Sequence, residues 1–424
     1  MEKKDNRYSQ YISILKEELV PAMGCTEPIA IAYAAAKAAE VLGQKPDKML
    51  IEVSGNIIKN VKSVIVPHTG GLRGIQAAAA AGAIAGDADA GLEVISNVTD
   101  AQIDEIGTYL WGAEIEVNHA DTGHIFDIAV TAYCGDDSAY VRLVDYHTNI
   151  VTIRKNNEYL LDKEIITQED GLTDRSCLSV EGIVDFADSV DVEDVRETLE
   201  RQIQYNMRIA EEGLEGKYGA SIGRTLMAHH EYDLNYVMRA YAAAGSDARM
   251  NGCELPVVIN SGSGNQGITA SVPVVVYGRG NNKSHDDILR ALVVSNLITI
   301  HLKTGIGRLS AYCGAVSAGA GAGAGIAYLR GGRLDAVAHT IVNALAVDSG
   351  IVCDGAKASC AAKIASAVDA GLLGLSMYNN GNQFFGGDGI VKEGVEKTIE
   401  AVGKLARQGM KYTDEEIIRL MMEE

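Results

Sequence analysis

The chain carries seven cysteines: Cys25, Cys134, Cys177, Cys253, Cys313, Cys353 and Cys360. Cys353 and Cys360 lie seven apart in CDGAKASC, a spacing that lets a bent helix or a loop turn both thiols towards one centre. Cys313 stands in AYCGA, just before a Gly/Ala run that permits close helix packing. Three thiolates without a nearby fourth suggest a [4Fe-4S] cluster with one iron left open to substrate, where it acts as a Lewis acid. On spacing alone the same residues also suit small buried hydrophobes. Zinc fits less well, because no paired CxxC or nearby histidine completes a tetrahedral set.

Cys25 sits differently, in PAMGCTEPIA, before a proline suited to the first turn of a helix. The positive end of a helix dipole favours thiolate, which predicts a reactive Cys25, with Thr26 or Glu27 capping the turn. A buried small residue at a turn is the plainer alternative. VPHTGGLRG, residues 66 to 74, joins a strand-like run to an Ala-rich helix. There His68, Thr69 and the amides of Gly70 and Gly71 would line a helix N-terminus suited to a carboxylate. His68 is also a plausible general base, although a histidine at a strand end is more often structural. NSGSGNQG, residues 260 to 267, contains GxGxxG after an apolar run. It lies mid-chain without a clear βαβ unit, so a dinucleotide site is discounted. Hydroxyls and amides of Ser261, Ser263 and Asn265 would suit an amino-acid carboxylate equally well. His229 and His230 have no acidic or cysteine neighbours at ligand spacing, and packing or surface roles fit them. No GxSxG elbow, HExxH or P-loop occurs.

The elements that must position these groups follow from periodicity. Residues 10 to 42 predict helix, interrupted by a turn at Pro21 to Pro28. MLIEVSG, VKSVIVP, EIEVNHA, HIFDIAVTAY and AYVRLVDY are short β-branched runs around the helical GIQAAAAAGAIAGDADA. From about residue 175 strands fade, and helical periodicity covers DVEDVRETLERQIQYNMRIAEEGL, residues 286 to 302 and 333 to 347. Val395, Ile399, Val402 and Leu405 share one helical face, and Thr413 with Glu416 predicts a capping box opening a last helix. The expected fold class is α/β plus all-α: a small α/β domain packed on a larger helical catalytic domain. The expected boundaries are an N-terminal helical segment, 1–44, an α/β domain, 45–165, and a helical iron–sulfur domain, 175–424.

Composition narrows the partners. Hydrophobic residues make up 47% but aromatics only 5%, so the core must be built from Ala, Val, Ile and Leu, with 46 glycines allowing close approach. A net charge of −20 repels phosphates and anionic lipid, so neither nucleic acid nor a membrane is expected as a partner. The polar opening MEKKDNRYSQ does not resemble a signal peptide, and GAVSAGAGAGAGIAYL is too short and glycine-rich to span a bilayer. A cytoplasmic chain is expected, with free, ligating or catalytic thiols. A homodimer is a further expectation.

GCTEP at 24–28, NSGSGNQG at 260–267, CDGAKASC at 353–360 and FFGGDGIV at 384–391, in that order, resemble the iron–sulfur L-cysteine desulfidases, relatives of the iron–sulfur L-serine dehydratases. The resemblance runs over nearly the whole chain. It implies an α/β domain beside an all-helical catalytic domain. Cys313, Cys353 and Cys360 would be the cluster ligands and Cys25 the proton acceptor. PHTGGLRG is similar to the serine dehydratases' substrate-binding SSHTxGPMR, with Val66 and Pro67 in place of the leading serines. The chain ends IIRLMMEE, without the terminal cysteine that some serine dehydratases carry. The expected reaction is β-elimination of L-cysteine to pyruvate, ammonia and hydrogen sulfide. The rivals are the same elimination on L-serine, a nucleotide-dependent oxidoreductase, and a non-catalytic amino-acid-binding regulator.

Overall fold

A computed structural model describes residues 1–165, 172–307 and 310–423. The β-branched runs form a six-stranded sheet with the spatial order Glu114–His119, Lys48–Val53, Asp127–Cys134, Asp137–Val144, Ile150–Lys155, Glu158–Asp162. Its first two strands are parallel and all other neighbours antiparallel. Along Lys48–Val53 the residues alternate, so Met49, Ile51 and Val53 enter the core while Lys48 pairs with Glu114 of the neighbouring strand at 2.5 Å. Two Ala-rich helices, Thr26–Leu42 and Gly74–Ala85, cover the buried face. They touch backbone to backbone: a Cβ on Gly82 would come within 2.0 Å of the Ala32 carbonyl oxygen. The few aromatic residues thus reflect a core that helices enter closely rather than one filled by rings.

One expected strand does not form. Part of VKSVIVP belongs to the helix Gly55–Val61, and beyond it only Ile65 makes an isolated bridge, to Arg73. Val64 and Val66 are apolar because the turn is buried, not because they extend a sheet. The chain reverses within a few residues, with His68, Gly70 and Gly71 at φ of 55°, 68° and 95°.

The second core is helical. Its centre is Gly314–Leu329, in which every residue from Ala315 onwards is buried. A Cβ on Gly319 would meet the Ala367 carbonyl at 2.3 Å, and one on Gly321 the Thr299 hydroxyl at 2.3 Å. The glycine run therefore lets this helix lie directly on Cys360–Asn379 and His285–Ile306. Cys360–Asn379 is long and apolar enough to cross a membrane by length and composition, and 56% of its most apolar window is buried inside the protein.

The first 44 residues divide between the cores. Asn6–Glu18 packs through Tyr11, Ile14 and Leu15 into the helical core, with Tyr11 edge-on to Phe186 at 5.2 Å, whereas Thr26–Leu42 belongs to the sheet. Between them, Pro21–Met23 pairs antiparallel with Pro256–Val258. That short ribbon ties the segment leading into GCTEP to the segment leading into NSGSGNQG. At the other end Thr413 is not an N-cap: the π turn Leu405–Gly409 runs on into Lys411–Met422, which starts two residues before it. The side chain at stake there is Asp414, which pairs with the buried Lys59 at 2.5 Å.

Helix Leu234–Met250 carries a buried acid, Asp247, whose Oδ2 accepts the Gly223 N–H at 2.9 Å while Oδ1 has no partner. Burial raises it to about 6. The folded protein therefore holds this proton more tightly than the unfolded chain. The contribution is full below about pH 4 and is lost as pH rises towards 6. Asp247→Asn removes the charge and should gain stability relative to the parent across that window, on the order of 1–3 kcal/mol, with no further change above it. Urea midpoints of both proteins at intervals from pH 4 to 8 test this; a difference that does not vary with pH refutes it.

Candidate active site

Four of the seven cysteines, Cys25, Cys313, Cys353 and Cys360, line one cavity of about 230 Å³ between the two cores. Cys25 is the N-cap of Thr26–Leu42, Cys313 the N-cap of Gly314–Leu329, and Cys360 the first residue of Cys360–Asn379. Cys353 comes from the preceding loop. Its N–H donates to Ala311 O at 2.6 Å, and the Cys313 N–H donates to Ile351 O at 3.1 Å, so an antiparallel bridge pins the two cysteines side by side. Cys25 packs with Val64, Met250 and Cys360 in a small apolar cluster. The loop between Cys353 and Cys360 rests on the α/β domain at Gly355, whose φ is 92° and whose Cβ would lie 1.9 Å from Lys59 O. Only glycine fits there. Lys363 steadies the same loop from within the helix, donating to Val352 O at 2.8 Å and pairing with Asp354.

Ser261, Ser263 and Asn265 also line the cavity. Their loop is held from behind by a buried polar chain: Ser261 Oγ donates to Asn260 Oδ1 at 2.9 Å, Asn260 Nδ2 to Asn296 Oδ1 at 3.0 Å, and Asn296 Nδ2 to Gln202 Oε1 at 2.7 Å. The preceding strand is a three-residue ribbon rather than part of a βαβ unit. Across the cavity stand Phe126, Asp145 and His147, from sheet loops. The cavity shares Ile125, Ser261, Lys303 and Ser310 with a wider cleft of about 1080 Å³.

His68 and Thr69 are not among the lining residues. His68 Nδ1 lies 3.2 Å from Glu254 Oε1, and the Thr69 hydroxyl donates to Val66 O at 2.7 Å inside its own turn. The turn meets the site only from behind, where Pro67 packs on Gly24, the residue before Cys25. The sequence reading in turn missed Arg249, Gln266, Lys59 and Lys303, all of which line the cavity. None belongs to a chemical motif except Gln266, at the end of NSGSGNQG, and Arg249 and Lys59 are cations in an interior that composition alone would not place there.

The electrostatics correct the expectation for Cys25. Its Sγ donates to Glu27 Oε2 at 3.1 Å, and burial together with the Glu27 carboxylate pushes the thiol well above its ordinary value. Arg249 and the Glu27 N–H act the other way and do not overcome these effects. Burial, followed by the field of Cys353, pushes Cys313 up to about 12, and burial likewise raises Cys360. The fields of Cys353 and Cys360 both disfavour ionisation of Cys313.

Among the described residues no three His, Cys, Asp or Glu side chains converge as ligands of one metal ion. Four cysteines nevertheless line the one cavity, and thiolate is the ligand iron–sulfur clusters take. The cavity therefore brings together thiols, a buried guanidinium and a buried thiol–carboxylate pair.

Sequence comparison gives the same direction. The family described as serine dehydratase alpha chain matches residues 89–419, a span that includes Cys313, Cys353 and Cys360 and leaves out Cys25. A UPF0597 protein of Desulfitobacterium hafniense is 59% identical over 423 residues, covering 100% of this chain and 98% of that protein. One from Treponema denticola is 49% identical over 426 residues, with 99% of each chain covered. A third, from Actinobacillus pleuropneumoniae, is 37% identical over 418 residues, covering 97% of this chain and 96% of its own. The chain belongs to the serine dehydratase alpha chain family and groups with the UPF0597 proteins.

Proposed function

We propose that the protein is an iron–sulfur lyase of the serine dehydratase type that eliminates the β-substituent of a small amino acid, with L-cysteine the favoured substrate. The observation that carries this reading is the convergence of Cys25, Cys313, Cys353 and Cys360 on one small cavity. Cys313, Cys353 and Cys360 would hold the [4Fe-4S] cluster, which would supply Lewis acidity towards the leaving group. Ser261, Ser263 and Asn265 offer hydroxyls and an amide to the substrate. Cys25 takes the α-proton, and its own proton has an acceptor in Glu27 Oε2 at 3.1 Å. As the Cα–H bond breaks, its electron pair forms the Cα=Cβ bond and the Cβ–S pair leaves with sulfur as hydrogen sulfide. The aminoacrylate tautomerises to the imine, and water converts that to pyruvate and ammonia.

Preference for sulfur is supported by the turn behind Cys25. Where the serine dehydratase motif carries two serines, this chain has a buried Val66 and a Pro67 packed on Gly24. L-serine remains the second reading, favoured by the family's description as serine dehydratase alpha chain. Anaerobic purification with iron and sulfide counted per chain, followed by competition between L-cysteine and L-serine, tests both levels. About four of each per chain is expected, with a higher kcat/KM for L-cysteine. An iron-free enzyme that is still active overturns the cluster; a higher kcat/KM for L-serine overturns the substrate.

A further inference from the structure

We infer that Arg249 and Gln266 form a receptor for the headgroup of a zwitterionic α-amino acid, Arg249 taking the carboxylate and Gln266 the ammonium. The inference deepens the elimination reading, on which it rests for what happens to the bound molecule afterwards.

Arg249 stands in the last turn of helix Leu234–Met250 and lines the thiol cavity, although only 5% of it is exposed. A guanidinium has five N–H donors. Here Nη1 donates to Asn265 Oδ1 at 3.2 Å, Nε is buried without a partner, and among the described residues no carboxylate forms an ion pair with it. An interior cation with no ion-pair partner is costly, and a planar anion entering the cavity supplies one. Room for the group is made by Gly264, where a Cβ would stand 2.3 Å from Nε.

Gln266 lines the same cavity, is 4% exposed, and its Oε1 has no hydrogen-bond partner. That oxygen is an acceptor without a donor, and a carboxylate cannot supply one, whereas an ammonium can. The two orphaned groups are thus of opposite kinds: donors on Arg249 and an acceptor on Gln266. An α-amino acid presents their complements on one carbon.

The placement fits the chemistry at the next atom. The Gln266 amide lies against Gly314, where a Cβ would fall 2.6 Å from its Cδ, and Gly314 follows Cys313 directly. Arg249 is close enough to Cys25 to act on its ionisation. A headgroup held between Arg249 and Gln266 therefore has Cys25 on one side and the Cys313 side of the cavity on the other. The Glu27 carboxylate, also buried there, adds a field that favours an ammonium over a neutral substituent.

Calorimetric binding to anaerobically prepared, iron-loaded protein tests the receptor without turnover, using L-alanine, which has no leaving group, and propionate, which lacks the amine. The parent should bind L-alanine at least about tenfold more tightly than propionate. Arg249→Leu should weaken L-alanine by about 10–100-fold, and Arg249→Lys by less, because a point charge replaces the planar fork. Gln266→Leu should bring L-alanine and propionate to similar affinities while leaving propionate near its parental Kd. Should Arg249→Leu fail to fold, as judged by circular dichroism and iron content, Arg249→Lys and Gln266→Leu decide. Undetectable binding of L-alanine by the parent, parental affinity in both Arg249 variants, or full discrimination in Gln266→Leu overturns the receptor. The two readings fail separately. L-alanine bound as described by a protein that eliminates no amino acid leaves the receptor standing and removes the lyase. Elimination of L-cysteine with unchanged KM in Arg249→Lys and Gln266→Leu does the reverse.

Discussion

Cys313→Ala, Cys353→Ala and Cys360→Ala should each lose the brown cluster chromophore and the elimination activity together, while Cys134→Ala and Cys177→Ala keep both. Each of the first three removes one anchor and leaves an iron valence unfilled, while the cavity's other cysteine, Cys25, is engaged with Glu27. The second pair are internal controls of the same chemistry: Cys134 ends the strand Asp127–Cys134, Cys177 ends the short helix Arg175–Cys177, and neither lines the cavity. Iron and acid-labile sulfide per chain, visible absorbance and pyruvate release are read on all five proteins. Loss of the cluster in Cys134→Ala or Cys177→Ala with retention in Cys353→Ala would show that the ligands lie elsewhere. Full activity in any one of the first three would remove the cluster from the reaction.

The division into an α/β layer and a helical bundle was legible because its determinants are local. Alternation in MLIEV reports a strand with one buried face, and the Gly/Ala run at 314–329 reports a helix that others approach closely. The errors came where a local signal had two causes. Val64 and Val66 are β-branched and apolar because a turn is buried, so VKSVIVP imitated a strand. Thr413 and Glu416 have capping-box spacing, but the π turn before them delivers a helix already begun at Lys411. Nothing in the first 44 residues indicates that one helix serves the bundle and the next the sheet; that follows from long-range packing.

The site was legible in part for a related reason. Cys313, Cys353, Cys360, Cys25 and the 261–265 loop were visible because their chemistry is carried by residue type and flanking turn, and they do share a cavity. His68 and Thr69 had equally suggestive types, but the imidazole faces Glu254 and the threonine hydroxyl closes its own turn. Arg249 was invisible for the opposite reason. An arginine in ARMNGCE reads as a surface cation at the end of a helix, and only the folded chain brings it beside Asn265 and Cys25. Cys25 itself shows that position and electrostatics can diverge. It stands at the helix N-terminus as expected, as the N-cap in place of Thr26 or Glu27, yet burial and Glu27 raise its thiol where the helix dipole alone would lower it.

Cys25→Ser should lower kcat by about 10²–10⁴-fold, the usual contribution of a positioned base, with KM and iron content little changed. Serine keeps a donor for Glu27 Oε2 and nearly the same volume, so the turn ahead of Thr26–Leu42 has no reason to rearrange. What it lacks is an accessible anion, because a hydroxyl gives up its proton far less readily than a thiol. Cys25 also packs against Cys360, which opens a different role: a fourth ligand that substrate displaces. The two roles separate before any turnover. A displaced ligand predicts that Cys25→Ser lowers iron content or alters the visible spectrum of the resting protein, whereas a base predicts an unchanged resting spectrum and loss of α-proton exchange with solvent. His68→Asn is the companion measurement. Because the imidazole is engaged with Glu254 and lies outside the cavity lining, exchange and turnover should survive that change. Near-normal turnover in Cys25→Ser, together with abolished exchange in His68→Asn, would transfer the proton to His68 and leave Cys25 a packing residue.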